Sequence, residues 1–319
     1  MTLTKKKYKL FKKRSCPYCS SNEKILLKTI CYKNNHISVS RCIKCDFVYL
    51  DHQLTKLQDL YNENYWKGEN NISHKLESYN QSQNFRIKKT ISIIKKYSKN
   101  KTVCILDVGC GNGLFMKSAK SFFEVSGIEF DKKMEHSVID KNLDIRYGKF
   151  EKMTFKKKYD IVFLSHVIEH LPNPNLYLKK IHQILKPSGL LFILCPNEID
   201  SIFSRISNIS FISKYLHRKL GIDFEIHNKT PIISYNENSN ISEKLFRQIM
   251  FQHLSFFSPS SLNKFLIKNN FILKKSVCNI VLKGDSLLIN SVKNNFINSF
   301  FKIFNMHEEI FFITKKNDS

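Results

Sequence analysis

Residues Val103 to Gly113 read V-C-I-L-D-V-G-C-G-N-G, a pattern that few folds accept. Val103 to Leu106 form a short uninterrupted apolar run, suited to a strand buried on both faces of a parallel sheet. Gly109, Gly111 and Gly113 follow, letting the backbone turn sharply and admitting a ligand where a Cβ would obstruct it. Leu114 to Lys120 then reads as the start of a helix. A strand, a glycine loop and a helix in succession make the architecture of a nucleotide-type cofactor site.

Charge and spacing narrow the cofactor. A dinucleotide fingerprint places glycines at positions one, three and six, but the sixth position here is Leu114. Asp107, just before the loop, would repel a pyrophosphate and suits a positively charged ligand. S-adenosylmethionine carries a sulfonium and an ammonium group and no phosphate, so an acid beside a glycine loop matches it. At these residues the chain resembles the class I S-adenosylmethionine-dependent methyltransferases, and the resemblance implies that Asp107, Gly109, Gly111 and Gly113 hold that cofactor.

The strands that follow extend the resemblance. Val125 to Glu129 reads as a second strand ending in an acid, and Glu129 lies about 20 residues beyond the loop, where it can accept hydrogen bonds from both ribose hydroxyls. Phe130 follows it. Asp144 to Glu151 resembles the family's third strand and loop, but Lys149 stands where the family often has an adenine-contacting acid, leaving Phe150 to stack or pack against the base. Asp160 opens another buried strand, and Ser165 and His166 lie where it leaves the sheet, the edge at which doubly wound folds bind ligands. The order V-I-E-H-L-P, then L-K-P-S-G-L-L, resembles the fourth and fifth motifs of family members that act on small molecules and sugars. The likeness covers roughly residues 80 to 200 and implies a Rossmann-like α/β core of seven strands, the last two near Ile272 to Val277 and Glu309 to Thr314.

Three histidines are candidate bases. His166 and His170 flank the end of the fourth core strand, and His253 lies near the expected substrate mouth. An oxygen acceptor benefits from such a base, whereas an amine need only be unprotonated. Glu169 reads as a support for a neighbouring histidine or helix terminus.

Ahead of this core stand Cys16-Pro-Tyr-Cys19 and Cys42-Ile-Lys-Cys45. Two CxxC knuckles at this separation can set four thiolates tetrahedrally around one Zn²⁺, leaving no open coordination position. Cys16, Cys19, Cys42 and Cys45 are therefore read as ligands of a structural zinc in a small ribbon. Cys31 and His36 lie between the knuckles and read as packing or surface residues.

The formal charge of +25 suggests a polyanion partner. Only seven of the 52 basic residues are Arg, and Arg is the residue suited to bidentate phosphate and guanine contacts. An RNA acceptor thus ranks behind a small molecule, the more so because Ser-His-Val-Ile stands where base methyltransferases carry an Asn-Pro-Pro-Tyr-type pocket. No run approaches the ~18 apolar residues of a membrane span and no signal-type apolar stretch follows the lysine-rich start, so a cytoplasmic location is expected. Nine cysteines in that setting read as thiols or metal ligands.

The expected organisation is a basic tail and zinc ribbon at residues 1–50, an aromatic linker (Tyr61, Tyr65, Trp66) and lead-in helix at 51–100, and the methyltransferase domain at 101–319. Near 199–250 the chain leaves the family pattern, with an amphipathic helix expected over Ile202 to Leu220. The layout looks like deoxysugar C-methyltransferases without their extra carboxy-terminal domain. The expected function is methyl transfer to a small molecule or sugar precursor, plausible in cell-surface polysaccharide synthesis. Its rivals are a zinc-ribbon RNA methyltransferase and a non-catalytic binding protein on the same fold.

Overall fold

A computed structural model describes residues 10–55, 73–98, 102–199, 223–227, 230–234, 250–279 and 309–317. The chain divides into two units. Met1–Tyr61, His170–Pro172 and Ile206–Phe256 make the first; Asn62–Glu169, Asn173–Arg205 and Phe257–Ser319 make the second. In chain order the first unit supplies β1 (Phe11–Lys13), β2 (Lys24–Tyr32), β3 (Asn35–Cys42), β4 (Val48–Leu50) and β5 (His52–Leu54). The second supplies α1 (Ser73–Ser98), β6 (Cys104–Val108), α2 (Leu114–Ala119), β7 (Glu124–Glu129), β8 (Ile145–Tyr147), β9 (Tyr159–Ser165), α3 (Pro174–Ile184) and β10 (Leu185–Pro196). The chain then returns to the first unit for β11 (Asp223–His227), β12 (Thr230–Ser234) and β13 (Ser255–Phe256), and closes the second with α4 (Pro259–Lys268), β14 (Phe271–Asn279) and β15 (Glu309–Lys316).

The second unit carries a seven-stranded sheet in the order β14-β15-β10-β9-β6-β7-β8. Strands β6 to β10 pair in parallel, while β15 runs antiparallel to both β10 and β14. The order reverses beside β6: the chain passes from β6 outward to β7 and β8, then crosses back to β9 on the other flank. Open α/β sheets bind their ligands outside the carboxyl ends of the strands at such a reversal.

Burial follows from the apolar pattern. Ile105, Ile161, Phe163, Phe192, Leu194, Phe311 and Ile313 form one packed face with Ile87, Ile91 and Ile94 of α1 and Phe115 and Ala119 of α2. Their alternates, Leu106, Val162, Leu164, Leu191 and Ile193, are equally buried, so the sheet is covered on both faces as near-continuous apolar strands require. Helix starts are explicit. Asn173 accepts from the Leu176 N–H with Pro174 in the first turn of α3, and Ser258 and Ser261 cap α4 reciprocally ahead of Leu262, Phe265 and Leu266. No described helix is long and apolar enough to cross a membrane.

In the first unit six strands pair in the order β11-β12-β2-β3-β4-β13. The β2–β3 hairpin is antiparallel, β12 adds to β2 in parallel and β13 adds to β4. Phe11, Ile30, Tyr32, Ile37, Leu50 and Leu54 pack there with Phe251 and Leu254. The ribbon therefore draws two strands, β11 and β12, from the span whose sequence departs from the family pattern. The Ile202 to Leu220 helix and the Tyr61, Tyr65 and Trp66 cluster lie outside the described residues.

One packing contact is directly testable. A Cβ at Gly127 on β7 would come within 2.5 Å of Met116 Sδ and 2.8 Å of Cys110 Sγ, and both side chains are buried. Gly127→Ala is expected to cost about 1–3 kcal/mol through overpacking, read as a lowered denaturant midpoint for the second unit.

Candidate functional site

The carboxyl end of β6 is built from residues that few other side chains could replace. Gly109, Gly111 and Gly113 have φ of 78°, 55° and 81°, a left-handed region that L side chains rarely adopt. Close packing adds to this. A Cβ on Gly109 would meet Val167 Cγ2 at 2.5 Å, and one on Gly113 would meet Leu143 Cδ1 at 2.5 Å. Gly113 sits at the amino-terminal cap of α2, so the turn leads straight into that helix.

Two acids lie under this turn. Glu129, the last residue of β7, accepts from the Gly111 N–H at 2.9 Å through one oxygen and from the Asp131 N–H at 3.1 Å through the other. A carboxylate offers about four lone-pair sites, so each oxygen keeps capacity for a further donor. Burial pushes the Glu129 carboxyl up, partly offset by those N–H groups. Asp107, 3% exposed, is pushed up to about 8 by burial and by the Glu129 charge. A bound cation would reverse that shift. A pair of buried acids beside an open glycine turn thus fits a ligand with vicinal hydroxyls and positive charge, which are the features of S-adenosylmethionine.

The remaining predicted positions differ in placement. Phe130 follows Glu129 and is 36% exposed. Phe150 is buried, its ring 5.7 Å from that of Phe155 and 5.2 Å from that of Tyr177, a position inside an aromatic cluster. Ser165 ends β9 opposite Leu194. His166 comes next with φ of 53°, its N–H donating to the Leu194 carbonyl at 2.8 Å. Its Nδ1 is 3.4 Å from Glu169 and its Nε2 3.5 Å from Glu309.

His170 and His253 belong to the first unit. Their rings lie 4.7 Å apart, edge to face, and His170 Nδ1 is 3.0 Å from the Gln252 carbonyl. The carbonyl can only accept, so Nδ1 donates in this contact. Sequence reasoning missed Arg86 and Glu309. Arg86 contacts both oxygens of Glu309, at 2.5 Å through Nη2 and 3.2 Å through Nε. Its signal was present, as one of the few arginines in a chain that otherwise uses lysine.

The four predicted zinc ligands converge. Cys16, Cys19, Cys42 and Cys45 offer Sγ atoms all within 4.8 Å of one another, with Cys16–Cys45 and Cys19–Cys42 both at 3.5 Å. Tetrahedral Zn–S bonds of ~2.3 Å imply sulfur separations of about 3.8 Å, so the donor set fits Zn²⁺. The two knuckles repeat one design. Ser20 N–H donates to Cys16 O and Asp46 N–H to Cys42 O, at 2.8 and 2.9 Å, and Ser20 and Asp46 share a left-handed φ of 62° and 59°.

Comparison with known proteins now bears on the fold and site. A family model described as "Methyltransferase domain" matches residues 78–275. Among curated proteins, "Ubiquinone biosynthesis O-methyltransferase" of Pelagibacter ubique is 28% identical over 154 residues, covering 45% of this chain and 63% of that protein. The protein of the same name from Rickettsia prowazekii is 33% identical over 161 residues, 47% of this chain and 61% of its own. The chain thus spans about three-fifths of the length of these relatives. Among solved structures, magnesium protoporphyrin IX methyltransferase from Synechocystis PCC 6803 with bound SAH is 10% identical, with a TM-score of 0.47 over 82% of this chain and 93% of that one.

The Asp107 environment makes a pH prediction. Its folded value of about 8 lies above the ordinary aspartate value, so the native state holds a proton that the unfolded state loses. Stability therefore falls as pH rises from about 4 to about 8. Asp107→Asn is expected to flatten this fall, and melting curves between pH 5 and 8.5 read it; an unchanged slope would show that Asp107 ionises without strain.

Proposed function

The chain belongs to the methyltransferase-domain family, and from that premise we propose that it transfers a methyl group from S-adenosylmethionine to an oxygen of a small-molecule acceptor, with a structural zinc in its first unit. The observation that carries this reading is the Glu129 carboxylate, fixed by the Gly111 and Asp131 N–H groups beside a glycine turn at the reversal point of the sheet. Bound S-adenosylmethionine supplies an electrophilic methyl group on a positively charged sulfur. The chain's own residues bind and align. Glu129 accepts hydroxyl hydrogen bonds, Asp107 supplies negative charge from below the loop once a cation is bound, and the glycines allow the left-handed turn that sets Glu129 against the Gly111 N–H. Alignment of acceptor, methyl carbon and leaving sulfur is the main catalytic demand of such a transfer.

The names of the curated relatives support an oxygen acceptor on a small molecule. They give no support to a role in cell-surface polysaccharide synthesis, and a sugar acceptor rests on the sequence motifs alone.

The Cys₄ set is assigned to zinc by its donor chemistry and convergence. Four thiolates complete a tetrahedral shell, so the metal's role is to hold the two knuckles together.

Calorimetric titration with S-adenosylmethionine tests the cofactor reading. Gly111→Val forces a β-branched residue to φ of 55°, and both it and Asp107→Asn are expected to weaken binding at least tenfold, about 1.4 kcal/mol, at unchanged zinc content. Equal affinity in wild type and both variants would remove the assignment. Metal analysis is expected to find one zinc per chain, and Cys42→Ser to lose it together with the first unit's melting transition.

A further inference from the structure

Arg14 stands two residues ahead of Cys16, and its guanidinium reaches three separate stretches of the first unit. Nη1 donates to the Leu50 carbonyl at 3.0 Å and to the Leu254 carbonyl at 2.7 Å, and Nη2 donates to the Pro172 carbonyl at 3.2 Å. These acceptors lie 36, 240 and 158 positions away in the chain. A planar fork of N–H donors can bind several carbonyls at once in fixed directions, which an ammonium group on a flexible stem does not reproduce. Hydrogen bonds from a charged donor are also about twice as strong as neutral ones.

The fork joins the ribbon to the two stretches that carry histidines. Leu50 ends β4, Leu254 follows His253, and Pro172 lies two residues beyond His170. The Leu254 carbonyl also accepts from the Leu50 N–H at 3.1 Å, and the next residues, Ser255 and Phe256, pair with Tyr49 and Val48 of β4. The stretch around His253 is thus stitched to the ribbon along its backbone. The stretch around His170 is tied by Arg14 at Pro172 and by the His170 Nδ1 to the Gln252 carbonyl at 3.0 Å, with Leu171 buried between them. These ties set the His170 and His253 rings 4.7 Å apart, edge to face. The backbone of Arg14 is itself fixed: its N–H donates to the Asp51 carbonyl at 2.7 Å, and the Asp51 carboxylate accepts from the Ser38 N–H of β3 at 2.7 Å.

We propose that Arg14 is a positioning residue that carries the order of the cysteine ribbon to the His170–His253 pair. The metal site then has a task besides joining its two knuckles, since it anchors the residue that sets two imidazoles against each other. The geometry belongs to the first unit alone, and the part of the pair in chemistry, as candidate bases, rests on the methyl-transfer reading above. A neutral side chain at position 14 leaves three carbonyls without their charged donor. A lysine there keeps the charge and loses the fork.

Ring N–H exchange, followed by NMR on the full, zinc-loaded chain with nitrogen-labelled histidine, tests this, and His170→Gln assigns the signal. Wild type is expected to show a His170 ring proton protected from exchange with water, because the Gln252 carbonyl accepts it. In Arg14→Lys that proton is expected to exchange at least tenfold faster while one zinc per chain is retained. Arg14→Gln is expected to show a larger effect, and the lysine variant stands in its place should the neutral one fail to fold. An unchanged exchange rate in a variant that folds and keeps its zinc would overturn the proposal. So would loss of zinc from both variants, which would make Arg14 a part of the ribbon's own fold, and so would a wild type whose His170 ring proton is unprotected. S-adenosylhomocysteine affinity, read by calorimetry on the same samples, is expected to stay within threefold of wild type. Failure of wild type to bind it would strike the methyl-transfer reading instead, since the ring exchange does not depend on it.

Discussion

Two carboxyl groups, Asp107 and Glu129, sit buried beneath a single glycine turn, and keeping them there is the constraint around which the larger unit is arranged. Burying acids costs free energy that hydrogen bonds or charge must offset. Glu129 is partly compensated by two backbone N–H groups, while Asp107 is held mostly protonated near neutrality. The glycines serve both ends of this arrangement. Their left-handed φ values allow the turn, and their missing Cβ atoms leave space for Val167 and Leu143. An uncompensated acid at a ligand edge is costly to the empty protein and becomes favourable when a cation arrives.

A second group of ionisable side chains lies at the same sheet edge. Arg86 contacts both oxygens of Glu309, and the His166 ring lies with Nδ1 towards Glu169 and Nε2 towards Glu309.

The first unit meets a different difficulty. Among the described residues its apolar core centres on Phe11, Tyr32, Phe251 and their neighbours, and small cores are marginal without a staple. Four convergent cysteines provide a site for one. Strands β11 and β12 extend the sheet beyond the knuckle hairpins, so residues far along the chain complete what the amino-terminal segment begins.

Much of this was legible in the residues themselves. Short uninterrupted apolar runs and the glycine spacing announced β6, its turn and the parallel strands, because local sterics decide them. The CxxC spacing announced the cysteine cluster for the same reason, since a knuckle is a local turn. Glu129 could be placed from its distance beyond the loop. The surroundings of each group were decided only by tertiary structure. Nothing near His166 in the chain announces Glu309, 143 positions further on, whose carboxylate lies 3.5 Å from its Nε2. Phe150 read as a ring that stacks or packs against the base, and its contacts with Phe155 and Tyr177 were not legible in the chain. The partnership of β12 with β2 was likewise invisible, because strand pairing is a long-range contact with no local signature. Sequence by itself determined the turns, the strands and the ligand chemistry of the cysteines; folding decided which charges face one another, since burial and pairing set the state of each ionisable group.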